Sequence, residues 1–199
     1  MLEAKEVTYR HPGGFYLLEN IHFSIQKNEV VGLSGVSGAG KTTLAKILAG
    51  FLKPHYGTVN IQQQKRKAHP VQLIWQHPEQ AVNPKWRIRK ILQEAGNMDD
   101  TLFNELGIQS EWLTRFPQQL SGGELQRVCI ARALMTNPDY VIADEVTTML
   151  DPIAQAEIWQ LLLRMADKKQ FGLCVISHDR HLLDKVCDRI VRFEELSYD

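Results

Sequence analysis

The run Gly35-Val36-Ser37-Gly38-Ala39-Gly40-Lys41-Thr42 fits G-x-x-x-x-G-K-[ST] at every defined position. The chemistry of such a run is phosphate binding. Its glycines let the backbone curl until successive N–H groups face one anion, and a helix opening at Lys41 adds the partial positive charge of its N-terminus. Lys41 supplies a point charge to the β- and γ-phosphates of a nucleoside triphosphate, the Thr42 hydroxyl a ligand for Mg²⁺, and Thr43 a contact further back along the phosphate chain. The flanks separate this reading from a fortuitous glycine-rich turn. The apolar stretch Val30-Val31-Gly32-Leu33 predicts a buried strand just ahead of the loop, and helical spacing from Lys41 to about Ala49 follows it.

A second set of candidates lies towards the other end of the chain. Tyr140-Val141-Ile142-Ala143-Asp144-Glu145 predicts a buried strand that delivers two carboxylates at its C-terminal end, the edge where open α/β sheets bind ligands. Asp144 suits Mg²⁺ positioning, and Glu145 suits a general base that polarises an attacking water. An Asp-Glu pair ending a strand is by itself usually a surface loop; the phosphate-binding run in the same chain makes the pair a catalytic candidate. Leu120-Ser121-Gly122-Gly123-Glu124-Leu125-Gln126 carries two compatible readings. Ser121 and Glu124 have the spacing of a capping box for the helix that follows. Yet each glycine costs a helix up to ~1 kcal/mol relative to alanine, and bare backbone at a helix start suits an incoming γ-phosphate.

The elements that must position these residues follow from periodicity and punctuation. Alternation at Val7 and Tyr9 and through Ile21, Phe23 and Ile25 predicts early antiparallel strands, with His11-Pro12-Gly13-Gly14 as a turn. Thr58 to Ile61 and Val71 to Trp75 read as further strands, and Lys65-Arg66-Lys67 between them as a solvated turn. From Trp86 the pattern becomes helical and polar, with interruptions at Gly96 and Gly107, so 86–136 is expected to be a helical subdomain inserted into the core of a single domain spanning 1–199. A long helix runs from Gly122 to about Met135, stopped by Asn137-Pro138. Then come the Tyr140 strand, a helix from Pro152 to about Met165, a strand from Leu173 to Ser177, a helix from Asp179 and a last strand near Ile190. Strands alternating with helices imply a mainly parallel sheet covered on both faces, an α/β fold.

Composition narrows the function classes. Lysine plus arginine equals aspartate plus glutamate at 23 each, so no long-range field marks the surface for nucleic acid or anionic lipid. No stretch approaches the ~20 apolar residues of a membrane span, and the charged start MLEAKEVTYR predicts a strand rather than a secretory leader. Cys129, Cys174 and Cys187 stand singly in apolar stretches, which points to buried free thiols.

Taken in order along the chain, these motifs resemble those of ABC-transporter ATP-binding subunits. Beyond the runs above, Gln76 in Leu73-Ile74-Trp75-Gln76 matches the family's glutamine loop, Leu150-Asp151 its D-loop, and His178 in Ile176-Ser177-His178-Asp179 its switch histidine. Tyr9 sits where the family places an aromatic ring against adenine, with Phe15 and Tyr16 as neighbours able to take that role. The resemblance implies a P-loop NTPase cassette of the ABC type, with an N-terminal antiparallel β region beside the parallel core, ATP as substrate and Mg²⁺ as cofactor. It also implies a head-to-tail dimer in which ATP lies between one subunit's phosphate loop and the partner's serine-glycine stretch. Ser121, Gly122, Gly123 and Asp151 would then serve ATP held by the other chain. Glu145 would activate water, His178 hold the γ-phosphate, and Gln76 link the Mg²⁺ site to membrane subunits.

His77-Pro78-Glu79-Gln80-Ala81-Val82-Asn83-Pro84, Thr147-Thr148-Met149-Leu150-Asp151 and the stretch from Leu120 to Val128 are similar to importers of peptides, nickel and other chelated metals. That group implies a second ATPase chain, a related chain in preference to a second copy of this one, with two permeases and an external solute-binding protein, and places this chain at the cytoplasmic face of a bacterial membrane. A soluble ABC ATPase acting on ribosomes or DNA is the alternative; the paired cassettes or long coiled coils usual there are missing from this sequence. Two departures stand out. Val146 replaces the family's usual proline and is expected to loosen its loop, and peptide and nickel importers usually continue past the position of Asp199.

Overall fold

The computed structural model describes residues 1–11, 13–61 and 68–197. Alternating apolar residues pair the first two strands, β1 (Leu2–Arg10) and β2 (Tyr16–Ile25), as an antiparallel ladder running from Leu2 opposite Ile25 to Arg10 opposite Tyr16. The strand β3 (Val30–Ser34) leaves this ladder for the core and ends at the phosphate-binding run, from which α1 (Lys41–Leu48) emerges. The chain then returns: β4 (Tyr56–Ile61) pairs with the other edge of β1, completing a sheet of order β2-β1-β4.

From there the chain builds the core and its helical cover. β5 (Val71–Ile74) is followed by α2 (Ile88–Gln93), α3 (Asp100–Glu105), 3₁₀ turns at Ser110–Thr114 and Pro117–Gln119, and the long α4 (Gly122–Met135). β6 (Tyr140–Asp144), α5 (Pro152–Lys169), β7 (Gly172–Ile176), α6 (Arg180–Val186) and β8 (Arg189–Arg192) complete the fold, with a final 3₁₀ turn at Phe193–Glu195. Among the described residues, five strands form a parallel sheet of order β5-β6-β7-β3-β8. The expected α/β class, with a mainly parallel core and an antiparallel N-terminal region, is what the chain adopts.

The period of two along each strand divides the core. Val141, Ala143, Leu173 and Val175 face the side covered by the helical segment and α5, where Leu134, Ile158 and Leu162 pack. Ile142, Cys174 and Ile176 face the opposite side, against α1 and the antiparallel sheet, where Leu44, Leu48, Val7 and Phe23 pack. Covering on both faces explains why these strands are apolar throughout rather than alternating in polarity. Cys174 and Cys187 pack against opposite clusters; all three cysteines are free thiols, Cys129 and Cys174 buried as expected and Cys187 only half-buried.

The expected boundaries shift in a few places. α5 runs to Lys169, beyond the expected stop near Met165. Asp167, Lys168 and Lys169 carry no breaker, and the helix ends only where Gln170 turns left-handed at φ 58°. β4 begins at Tyr56 rather than Thr58, and β5 stops at Ile74, short of Trp75. Pro12 of the expected first turn and the run Lys65-Arg66-Lys67 lie outside the described residues. Among the described residues no helix is long and apolar enough to cross a membrane.

Candidate active site at the carboxyl edge of the parallel sheet

Because β3, β5, β6 and β7 run parallel, the segments that follow them emerge on one edge of the sheet. Those segments begin with the phosphate-binding run, Gln76, Glu145 and His178. Topology thus gathers residues spread over more than 140 positions of sequence.

The assembled hollow holds about 380 Å³ and is lined by Leu17, Ser37, Gly38, Gly40, Lys41, Thr42, Thr43, Gln76, Asp144 and Glu145. Lys41 is buried, and its ammonium donates to the carbonyl oxygens of Gly35 and Val36, each at 2.8 Å. Thr42 Oγ1 donates to Asp144 Oδ2 at 2.7 Å. Burial pushes the Asp144 carboxyl above the usual carboxylate range; the Thr42 hydrogen bond pulls it back, Glu145 raises it, and Lys41 and Lys46 lower it. A buried carboxylate held off its charge by desolvation is a group that a cation relieves. Among the described residues no group of three or more His, Cys, Asp or Glu is placed to hold a metal ion. Thr42, Asp144 and Gln76, which line the same hollow, carry the oxygen atoms that could hold a metal there.

Glu145 sits where β6 turns away, at φ 47°, a left-handed conformation uncommon outside glycine and often found at functional sites. Both its carboxylate oxygens are engaged. Oε1 lies 3.3 Å from His178 Nδ1, and Oε2 accepts from Gln76 Nε2 at 3.3 Å. Gln76 Nε2 also donates to Thr148 Oγ1 at 3.3 Å, and that hydroxyl donates to the Glu145 carbonyl at 3.0 Å. The turn after Glu145 is pinned rather than loose. Val146 is buried in the core beneath it, and the Thr147 hydroxyl accepts from Trp159 Nε1 at 3.0 Å.

Other expected site residues stand apart from this hollow. Ser121 and Glu124 form the reciprocal capping box of α4, with Glu124 N donating to Ser121 Oγ at 3.3 Å and Ser121 N to Glu124 Oε2 at 2.7 Å. Asp151 caps α5 by accepting from Ile153 N and Ala154 N, a contact worth ~1 kcal/mol. Gly122 borders a separate small hollow with Gln76 and Leu150. Tyr9 does not line the phosphate hollow; its ring meets His55 edge-on at 5.2 Å and packs against the core. Phe15, Tyr16 and Tyr56 are exposed rings of that region, and Leu17, next in sequence after Tyr16, borders the hollow. Leu17 carried no motif by which sequence could have marked it, and Thr148 was marked only as part of the stretch Thr147 to Asp151, with no role of its own.

The sequence pattern of the family described as ABC transporter matches residues 18–148. The chain belongs to the ABC transporter family. A nickel import ATP-binding protein, NikE, of Pseudomonas putida is 35% identical, the match covering 92% of this chain and 75% of the relative. The NikE of a Staphylococcus aureus nickel import system is also 35% identical, over 96% of this chain and 85% of the relative. A bacterial ABC transporter cassette solved as a dimer superposes with a TM-score of 0.83 at 26% identity, covering 96% of this chain and 94% of that one. The cbiO1 chain of Clostridium perfringens, part of the ABC transporter complex cbiONQ, gives a TM-score of 0.80 at 26% identity, covering 96% and 83%. As a member of the ABC family, this chain has the fold of its ATP-binding cassettes.

Proposed function

We propose that this chain binds ATP and hydrolyses it, as the energising subunit of a membrane importer whose cargo is nickel, another chelated metal or a peptide. The observation that carries the catalytic half is the fixing of both Glu145 oxygens, by His178 and Gln76, beside a phosphate loop whose Lys41 and Thr42 share the same hollow. The importer half rests on similarity to the nickel import proteins.

In this reading the N–H groups of 35–43 cradle the phosphates. Lys41 exchanges its two carbonyl partners for β- and γ-phosphate oxygens. Glu145 accepts the proton of the attacking water, and His178 holds Glu145 on one side and the γ-phosphate on the other. Mg²⁺, when bound, neutralises charge on the β- and γ-oxygens; Thr42, Asp144 and Gln76 are the groups proposed to hold it. The base is proposed to stack on Phe15 or Tyr16 rather than Tyr9, since Tyr9 is engaged by His55 while Leu17 borders the hollow.

Ser121, Gly122 and Gly123, carried by the helical segment 86–136, are proposed to meet ATP held by a second ATP-binding chain, with Asp151 nearby. Packing within this chain gives no reason for the two glycines. Among the described residues beyond α4's own backbone and the chain neighbours, a Cβ on Gly122 or Gly123 would meet Leu150 Cδ2, at 3.6 and 3.9 Å, ordinary contact distances. Room for a side chain that the sequence leaves unused supports a role for bare backbone towards something outside the chain. Two permeases, an external solute-binding protein and a place at the cytoplasmic face of the membrane complete the proposal, with no nucleic acid among the partners. Similarity to import proteins disfavours the alternative of an ABC ATPase acting on ribosomes or DNA.

The test is capture of the tagged chain from detergent-solubilised membranes of its host, with mass spectrometry of what comes with it. Two permeases and a second ATPase are expected. Recovery of ribosomes or DNA-repair proteins instead would contradict the transport reading.

A further inference from the structure

The phosphate loop is gripped from a side that none of its motifs describes. After β8 the chain crosses behind the loop as the 3₁₀ turn Phe193–Glu195 and is tied to β2 beyond it. His22 N donates to the Leu196 carbonyl at 2.8 Å, and Ser197 bridges to Ile21. Phe193 is buried in that crossing. A Cβ on Gly35 would stand 2.9 Å from Phe193 Cβ, and one on Gly40 would stand 3.3 Å from Phe193 Cζ, so a single side chain packs against both ends of the loop.

Glu194 adds a polar hold. Its Oε1 accepts from Val36 N at 3.3 Å, and the same oxygen lies 3.0 Å from the Cβ position of Gly35. The Gly35–Val36 segment is thereby held from two directions. Lys41 takes its carbonyl oxygens, and Glu194 takes its N–H. Once Lys41 turns to phosphate, as the function proposed above requires, Glu194 and the Phe193 ring remain to keep the segment in place.

We propose that Phe193 and Glu194 are positioning residues for ATP binding, holding Gly35–Gly40 in its phosphate-receiving conformation through the Val36 N–H and the packing of Phe193. The proposal rests on the ATPase reading. Glu194 touches no reacting atom, and its side chain is exposed, so its replacement leaves the core intact.

Two variants separate a hydrogen-bond role from a field effect. A carboxylate near a triphosphate repels it, so a residue acting only by charge would, when neutralised, lower the KM for ATP in Glu194→Ala and Glu194→Gln alike. A residue acting as acceptor loses its function in Glu194→Ala and keeps it in Glu194→Gln, whose amide oxygen can still accept. The expected result is a KM for Mg·ATP raised about three- to tenfold in Glu194→Ala, the worth of one lost hydrogen bond, with kcat within about twofold of wild type. Glu194→Gln is expected to restore KM to within about twofold of wild type. A wild-type KM in Glu194→Ala, or an equal fall in both variants, would overturn the proposal. Absence of ATP turnover in the wild-type protein itself would instead sink the ATPase reading, so the two failures are told apart.

Discussion

Thr42 Oγ1 donates to Asp144 Oδ2 across 2.7 Å, tying the first turn of α1 to the end of β6. The bond joins the phosphate loop to the acidic strand, and the carboxylate that accepts it is buried.

Asp144 is expected to cost the nucleotide-free protein stability. Burial first, and Glu145 in addition, hold its carboxyl above the ordinary value of 3.8. Its folded pKa exceeds its unfolded one, so its contribution is fully present below 3.8 and is lost as pH rises through the raised value. Asp144→Asn keeps an acceptor for Thr42 and removes the charge. Without Mg²⁺ and nucleotide at pH 7.5 it should melt about 2–4 °C above wild type, the shift for ~1 kcal/mol in a domain of this size. The gain should shrink as the pH approaches the ordinary carboxylate range. Equal melting at pH 7.5 would contradict this account of the site.

Thr148 links the two arms of the hydrolytic centre, accepting from Gln76 and donating to the Glu145 carbonyl. Thr148→Val keeps the shape and loses both bonds, and kcat should fall about three- to tenfold with KM for ATP little changed. Thr148→Ser should recover most of the rate. Steady-state kinetics of the two variants check this, and a wild-type kcat in Thr148→Val would remove Thr148 from the site.

The parts of this site that were legible in sequence are contiguous runs with distinctive flanks. Gly35 to Thr43 and Tyr140 to Glu145 each announce a strand end and a chemistry within a few residues. Gln76 and His178 became legible only through order along the chain, since a lone glutamine or histidine at a strand end signals nothing by itself. Thr148 meets Gln76 across 72 positions and Glu194 meets Val36 across 158, contacts that no local pattern encodes. Tyr9 was marked only by its place along β1; its edge-on contact with His55 at 5.2 Å is made through space and could not be read from that position. Element boundaries failed where no breaker stood, as at Lys169.

The cysteines should be inert in the folded chain. Burial pushes Cys129 and Cys187 up to about 12 and raises Cys174 still further. At pH 8 a thiol near 12 carries about a thousandfold less thiolate than one at the ordinary 9.0. Alkylation by iodoacetamide should be at least about a hundredfold slower in native protein than in denaturant. Cys187, the half-buried one, should react first. Rapid labelling of native protein at pH 8 would show that these thiols are not enclosed as described.

The most direct test of the central claim compares Mg²⁺-dependent phosphate release by wild type and by Glu145→Gln, with ATP binding measured in parallel. The account predicts turnover in the wild type that falls about 10²- to 10⁴-fold in the variant, while ATP affinity is retained. Equal turnover in the two proteins would contradict the assignment of Glu145 as the base, and no turnover in either would contradict the assignment of this chain as an ATPase.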